Sequence, residues 1–145
     1  MKRSPKDMLV GTWVQVSLDT VSADGSRRPL YGENAKGMII YTGNGYFTLM
    51  QASVDLPKLK SGLPSKATPE EAKAVIANSI AYFGKYSLDE TSMVLSLDIQ
   101  ASTFANLTGN PSEKRIVTSL NDSELKFNRP FVKDVTLEAV FKRAE

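Results

Sequence analysis

Residues 37–53, Gly-Met-Ile-Ile-Tyr-Thr-Gly-Asn-Gly-Tyr-Phe-Thr-Leu-Met-Gln-Ala-Ser, carry the strongest fold signal in the chain. Two runs rich in apolar and aromatic residues, 37–42 and 46–53, flank the tripeptide Gly43-Asn44-Gly45. Glycine and asparagine adopt the positive φ angles of a tight turn at little cost, and the flanking composition is typical of strands. The stretch therefore predicts an antiparallel β-hairpin.

Strand patterns continue on both sides of this hairpin. Upstream, Leu9 to Leu18 is rich in β-branched residues and predicts a long first strand. Downstream, residues 82–88 and 93–100 alternate in polarity around an Asp89-Glu90 turn, which predicts an antiparallel pair. Three more strands are predicted at 114–120, 124–128 and 135–143.

Two segments carry helix-start signals. Ser4 precedes Pro5, and Thr68 precedes Pro69 with Glu71 three residues after the threonine. A Ser or Thr N-cap before a proline satisfies the free amides of a first helical turn. We predict one turn of helix before Met8 and an amphipathic helix from 69 to about 80, preceded by a loop over 54–67.

Eight short strands and one short α-helix predict a single all-β domain over residues 1–145. The turn-by-turn connections favour an eight-stranded antiparallel up-and-down barrel. Closure removes exposed strand edges and leaves an interior that can hold one small ligand. A β-sandwich of similar strand count is the main alternative.

Composition excludes much of enzyme chemistry. The 145 residues include no Cys and no His, which removes thiol nucleophiles, His-based proton shuttles and structural zinc sites. A net charge of +2 makes nucleic acid an unfavoured partner, and no apolar run is long enough for a membrane span. We expect no metal, no cofactor and, without a recognisable leader, a cytoplasmic location.

Several motifs along the chain resemble those of known barrels. Gly11-Thr12-Trp13 resembles the start of lipocalin and fatty-acid-binding-type barrels. The motifs that follow it in order are Tyr31-Gly32-Glu33-Asn34-Ala35-Lys36-Gly37, Ile40-Tyr41-Thr42, Gly45-Tyr46, Thr68-Pro69-Glu70-Glu71-Ala72, residues 81–87 and Ala101-Ser102 with Phe104. The series, spanning roughly 9–143, resembles the bacterial and fungal lipocalin-like domain family.

The resemblance implies a calycin-type barrel and a structural role for its first strand. Trp13 would close one end of the barrel beneath a basic side chain of the last strand, Arg143 or Lys142. Gly11 would allow a close approach there. This chain departs from the family pattern where Leu97 and Asp98 replace a common pair of histidines. Gln100 likewise stands where relatives carry an acid.

A ligand site is predicted from side chains with apolar bodies and polar tips. Tyrosine rings supply apolar surface and a single hydroxyl, which suits a mostly apolar ligand. The alternative is that these residues are ordinary strand formers and core side chains, with Asn34 in a turn. The predicted ligand-binding residues are Asn34, Tyr41, Tyr46, Met50, Tyr82, Tyr86, Gln100 and Phe104.

The inward phase of strand 93–101, meaning which alternate side chains face the interior, decides whether catalysis is possible. In the arrangement that we favour, Asp98 is solvated and the inward-facing residues are Met93, Leu95, Leu97 and Ile99. In the opposite phase Asp98 lines the cavity and could act as an acid or base together with Tyr82 or Tyr86.

Three functions follow from these alternatives. The first is a carrier or sensor that binds a small hydrophobic or amphipathic molecule. The second is a cofactor-independent isomerase or cyclase, which would use the same cavity. The third is a structural module whose barrel is filled by its own side chains.

Overall fold

A computed structural model describes residues 3–144. Its α-helices are α1 (Pro5–Leu9) and α2 (Pro69–Ala77), and two single 3-10 turns lie at Pro64–Lys66 and Ala105–Leu107. Within the described range the strands are β1 (Gly11–Ser22), β2 (Arg27–Pro29), β3 (Lys36–Tyr41), β4 (Tyr46–Ala52), β5 (Ser79–Asp89), β6 (Val94–Ser102), β7 (Lys114–Leu120), β8 (Glu124–Val132) and β9 (Val135–Arg143).

The strands form one antiparallel sheet that closes on itself. From β3 to β9 each strand pairs with the next, and β1 joins β3 to β9. The β1–β9 seam runs from the Trp13–Arg143 pair to the Ser22–Val135 pair. The result is a closed barrel of eight strands, with β2 as an extra strand on the end of β1. The predicted barrel is confirmed, and the β-sandwich alternative is wrong because the seam leaves no second layer.

The hairpin predicted from residues 37–53 is formed by β3 and β4. Tyr41 pairs with Phe47 across the two strands. The Thr42 amide donates to the Tyr46 carbonyl at 2.8 Å, and Gly45 has a φ of 93°. This positive φ is the conformation for which glycine was expected in the turn.

Both predicted helix starts are present. The Ser4 hydroxyl accepts a hydrogen bond from the Asp7 amide at 3.2 Å. At α2, the Glu71 amide donates to the Thr68 hydroxyl, and the Glu71 carboxylate accepts from the Thr68 amide at 2.9 Å. This reciprocal pair is a capping box, which fixes the first turn of the helix.

The second helix is shorter than its sequence pattern indicates. It ends at Ala77, whereas the apolar spacing predicts a helix to about 80. Ser79 and Ile80 instead begin β5, where they pair with Ala52 and Gln51 of β4. The inter-strand hydrogen bonds gained by this pairing override the local helical pattern.

One end of the barrel is filled by packed side chains. Antiparallel pairing brings the starts of β1, β4, β6 and β8 together with the ends of β3, β5, β7 and β9. Trp13, Leu95, Leu125 and Phe141 lie at this end with almost no exposed surface, and Leu9 of α1 packs with them. We call this the closed end.

Arg143 holds the closed end together. Its guanidinium carbon lies 4.2 Å from the centre of the Trp13 ring, in cation–π contact. Its Nη1 donates to the Val10 carbonyl at 3.0 Å, and its Nη2 donates to the Met8 carbonyl. A Cβ at Gly11 would lie 2.7 Å from Arg143 Nη1, so the glycine makes room for this side chain. The neighbouring Lys142 is exposed and does not take this position.

Candidate ligand-binding site

A cavity of about 380 Å³ occupies the opposite end of the barrel. This volume lies within the range of about 300–1,000 Å³ typical of small-molecule sites. Its apolar wall comes from the barrel strands and includes Leu18, Leu49, Phe127, Leu137 and Ala139. A barrel filled entirely by its own side chains, as the structural-module hypothesis requires, is therefore wrong for this chain.

The mouth of the cavity is formed by segments outside the barrel wall. The last turn of α2 contributes Val75 and Ile76, and the loop after β6 contributes Phe104. Phe131 at the end of β8 completes the rim, and Tyr31 in the loop after β2 also lines the cavity. Ile76 is 76% exposed and Phe104 49% exposed, so apolar side chains ring an opening to solvent.

A buried ion pair lies at the cavity wall. Nη1 of Arg115 donates to Oε1 of Glu113 at 2.5 Å, and these side chains are only 3% and 4% exposed. Nη2 of Arg115 also donates to the Tyr82 hydroxyl at 3.1 Å. Burial opposes the charged form of Arg115, but its interactions with Tyr82 and Glu113 prevail and raise its pKa above the ordinary value. Arg115 is a permanently charged side chain with its own partners.

A second guanidinium, that of Arg129 on β8, also lines the cavity but is poorly partnered. Its Nη2 lies 3.6 Å from Oε1 of Glu113, which is beyond hydrogen-bonding distance. Within residues 3–144 the Arg129 side chain makes no hydrogen bond, and none of its nitrogens is both buried and unpaired. Burial and the positive charge of Arg115 lower the pKa of Arg129. Its nitrogens therefore retain accessible surface on a side chain that lines the cavity.

Two further polar groups face the cavity. Tyr31 is half-buried, and its hydroxyl has no hydrogen-bond partner among the described residues. Burial raises the pKa of Tyr31, while the charge of Arg129 acts in the opposite direction. Gln51 is buried in the wall, and its Nε2 donates to Oε1 of Gln15 at 2.8 Å. A few polar groups on an apolar wall are what orients a bound small molecule.

Two of the predicted ligand-binding residues line this cavity. Tyr82 lies in the wall, where its hydroxyl is held by Arg115, and Phe104 lies at the rim. The pairing of Arg115 with Tyr82 brings together strands that are far apart in sequence. The local sequence pattern of β5 predicts neither the hydrogen bond between Arg115 and Tyr82 nor the position of Phe104 at the rim.

Tyr41 and Tyr86 face inward but lie at the closed end. Their rings meet edge to face with centroids 5.0 Å apart, and the Tyr86 hydroxyl donates to the Thr42 carbonyl at 2.6 Å. Burial raises the pKa of both tyrosines, most strongly for the fully buried Tyr41. The prediction that they line the cavity is wrong, since both lie where core packing fills the barrel.

Three predicted ligand-binding residues point away from the interior. Tyr46 is 43% exposed and Met50 is 55% exposed, because β4 turns Phe47, Leu49 and Gln51 inward. Gln100 is exposed on the outer face of β6. The prediction that these residues contact an interior ligand is wrong, because side chains of a strand alternate between its two faces.

Asn34 lies outside the cavity as well. It is exposed in the loop before β3 and has a φ of 65°, a conformation that asparagine tolerates better than most residues. The turn-stabilising alternative fits this placement.

Strand β6 adopts the phase in which its apolar residues face inward. Leu95, Leu97 and Ile99 are buried, and Asp98 is exposed to solvent. The favoured phase is confirmed, and the catalytic arrangement that placed Asp98 in the cavity with Tyr82 or Tyr86 is wrong. An exposed carboxylate outside the barrel wall cannot exchange a proton with a molecule inside the cavity.

The sequence interpretation missed the two arginines of the cavity. Both lie on the inward phase of their strands, Arg115 with Val117 on β7 and Arg129 with Phe127 on β8. An arginine on the apolar phase of a strand is a signal that the sequence does contain. Lys114 and Lys126 on the outward faces place basic residues on both sides of these strands, so the positive charge alone does not distinguish the inward-facing arginines.

Among residues 3–144 the structure shows neither a cluster of metal ligands nor a helix that could span a membrane. Among residues 3–144, no three acidic side chains lie close enough together to hold a metal ion. No helix in the same range has the length and apolarity needed to cross a bilayer.

Comparison with known proteins identifies one family. Residues 10–137 match a family model described as a lipocalin-like domain. Solved structures resembling the chain include a redesigned β-barrel, with 16% identity, a TM-score of 0.46 and coverage of 97% of this chain and 96% of that one. A de novo designed fluorescence-activating β-barrel has 8% identity, a TM-score of 0.47 and coverage of 99% and 100%. Both likenesses are too weak to bear on function, and no curated protein matches the chain.

Proposed function

Because the chain belongs to the lipocalin-like domain family, we propose that it binds a small hydrophobic or amphipathic molecule in the cavity at the open end of its barrel. The observation that carries this proposal is the contrast between the two ends. Side chains pack solidly around Trp13, whereas about 380 Å³ remains unfilled between Leu49, Leu137 and the rim. The apolar walls of this cavity lack packing contacts that a bound molecule would supply.

The lining determines what kind of molecule fits. Each 100 Å² of apolar ligand surface removed from water contributes about 2.5 kcal/mol before the cost of immobilising the ligand. The aliphatic and aromatic walls supply that contribution. Tyr31, Gln51, Tyr82 and the arginines supply directional contacts. Of the acid or base candidates of the isomerase or cyclase hypothesis, Asp98 lies outside the cavity and the hydroxyl of Tyr82 is bonded to Arg115, so binding is the function that the cavity favours.

Filling the cavity tests this proposal. Ala139 is buried in the cavity wall, so Ala139→Leu projects added side-chain volume into the void. We expect the variant to bind the neutral fluorescent dye 1-aminoanthracene at least about tenfold more weakly than the wild type, a loss of about 1.4 kcal/mol. Titration of dye fluorescence measures this, with circular dichroism as the check on folding.

The matched control makes the same change on the outside of the barrel. Ala101 is exposed on β6, and Ala101→Leu should leave dye binding unchanged. Equal dye affinity in the wild type and in folded Ala139→Leu would place the binding site elsewhere and overturn the proposal.

A further inference from the structure

Resting on the proposed function, we propose that the ligand carries one negative charge, a carboxylate or a similar oxyanion, which Arg129 and Tyr31 bind inside the cavity. The apolar part of the ligand then lies toward the rim formed by Ile76, Phe104 and Phe131. This assigns an anionic amphiphile as the ligand class.

The charges of the cavity are unbalanced. Two guanidiniums, those of Arg115 and Arg129, lie in or beside the wall, and Glu113 is the carboxylate that serves both. Within the described residues no other acidic group lies within 4.0 Å of either arginine. A partly buried cation without a full counter-charge is costly, and an anionic ligand removes that cost.

The cavity also has hydrogen-bond donors that lack acceptors. Arg115 already donates to Glu113, to the Lys114 carbonyl and to Tyr82. The Arg129 side chain makes no hydrogen bond, and the Tyr31 hydroxyl is also without a partner in residues 3–144. A planar guanidinium binds a carboxylate through two parallel hydrogen bonds, and a tyrosine hydroxyl can add a third.

The effect of Arg115 on Arg129 agrees with this assignment. Burial and the charge of Arg115 lower the pKa of Arg129, so an anion beside Arg129 would reverse part of that destabilisation. Glu113 cannot do so fully, because its Oε1 is already bonded to Arg115 and lies 3.6 Å from Arg129. The cavity is therefore complementary to a negative charge rather than to a neutral or positive one.

Exposure sets the orientation of the ligand. The Arg129 side chain is 23% exposed, whereas Phe131 is 42% exposed and Ile76 is 76% exposed. The charged contacts thus lie deeper than the apolar rim. A ligand that enters through the mouth would place its charged head inward and leave its apolar part among the rim side chains.

Three probes with the same ten-carbon chain test the charge preference. Decanoate, decanol and decylammonium are each used to displace 1-aminoanthracene from the full chain. For the wild type we expect decanoate to bind at least about tenfold more tightly than decanol, and decylammonium to bind most weakly. The order should persist in about 0.5 M NaCl, where attraction by distant surface charges is screened.

Variants test whether Arg129 is the source of the preference for decanoate over decanol. Arg129→Gln should bring the affinity for decanoate to within about threefold of the affinity for decanol. Tyr31→Phe should also narrow the preference for decanoate over decanol, but by less. Arg28→Gln removes the same charge from the exposed strand β2 and should keep the wild-type preference.

The possible results separate this inference from the function beneath it. If the wild type binds decanol and decanoate equally, or if Arg129→Gln and Tyr31→Phe both keep the full preference, the anion assignment is overturned while ligand binding stands. If Arg28→Gln or high salt abolishes the preference, the surface charge explains it and the assignment also fails. If neither dye nor probes bind, the proposed function itself fails.

Discussion

At the scale of single residues, Gly84 shows how closely the barrel strands approach one another. This glycine lies between Tyr82 and Tyr86 on the same face of β5. In the structure its missing side chain makes room for the backbone of β6, because a Cβ at Gly84 would fall on the carbonyl oxygen of Asp98. The pairing with β6 shifts register at this point, between Phe83 and Gly84.

The prediction at this scale is that Gly84→Ala destabilises the protein by about 2 kcal/mol or more. A backbone carbonyl of a paired strand cannot move aside as a flexible side chain can, so the added methyl group strains the sheet. Gly43→Ala is the control, because a Cβ there meets no atom within 4 Å. Urea unfolding measures both variants, and similar stability in the two would contradict the close approach.

At the scale of elements, α2 matters because it supplies part of the cavity mouth. Its first turn is tied to the preceding loop by Glu71, whose carboxylate accepts from the Thr68 amide at 2.9 Å and from the Lys60 amide at 3.0 Å. Its last turn leads directly into β5, and the Ser79 hydroxyl donates to the Val75 carbonyl at 2.5 Å. The position of Val75 and Ile76 at the rim therefore depends on both ends of a short helix.

The prediction at this scale concerns pH. The backbone hydrogen bonds from Thr68 and Lys60 lower the pKa of Glu71 below its ordinary value of 4.5. A lowered pKa in the folded state contributes stability that is fully present above 4.5 and is lost as the pH falls through the folded-state pKa. The stability difference between the wild type and Glu71→Gln should therefore be largest near neutral pH and shrink in acid.

Urea unfolding at a series of pH values measures that difference. Glu70→Gln alters the neighbouring exposed carboxylate on the same turn and should cost less stability at pH 7 than Glu71→Gln. A wild-type minus Glu71→Gln difference that stays constant from pH 7 to pH 3 would show that the carboxylate does not hold the loop.

At the scale of the whole molecule, the barrel divides into a packed half and a hollow half. The β1–β9 seam closes the wall, Trp13 and its neighbours fill one end, and the cavity occupies the other. Stability should therefore depend mainly on the closed end, and binding on the open end.

Matched truncations at the two ends test this division. Leu125 is 0% exposed at the closed end, and Leu125→Ala should cost about 3–5 kcal/mol because it opens a new void in dense packing. Leu137 lines the existing cavity, so Leu137→Ala removes fewer contacts and should cost about 2 kcal/mol. Urea unfolding compares them, and a larger loss for Leu137→Ala would contradict the division.

The sequence by itself determined the eight strands of the barrel, the hairpin turn and both helix starts, whereas it favoured the observed inward phase of β6 without deciding it. These features follow from local rules, namely the two-residue alternation of a strand, the φ freedom of glycine and the hydrogen bonds of an N-cap. The same rules, applied to β7 and β8, would have placed Arg115 and Arg129 on the inner face.

Only the tertiary structure decided which inward-facing side chains meet and where the hollow lies. Tyr31, Tyr82, Arg115 and Arg129 come from separate segments, and the register of the closing strands sets their distances. The same register ends α2 at Ala77 and moves Tyr41 and Tyr86 to the packed end. The alternation of side chains along a strand predicts which face of the sheet a residue occupies, but it does not predict the position of that residue along the barrel axis. That position decides whether an inward-facing residue belongs to the packed core or to the cavity.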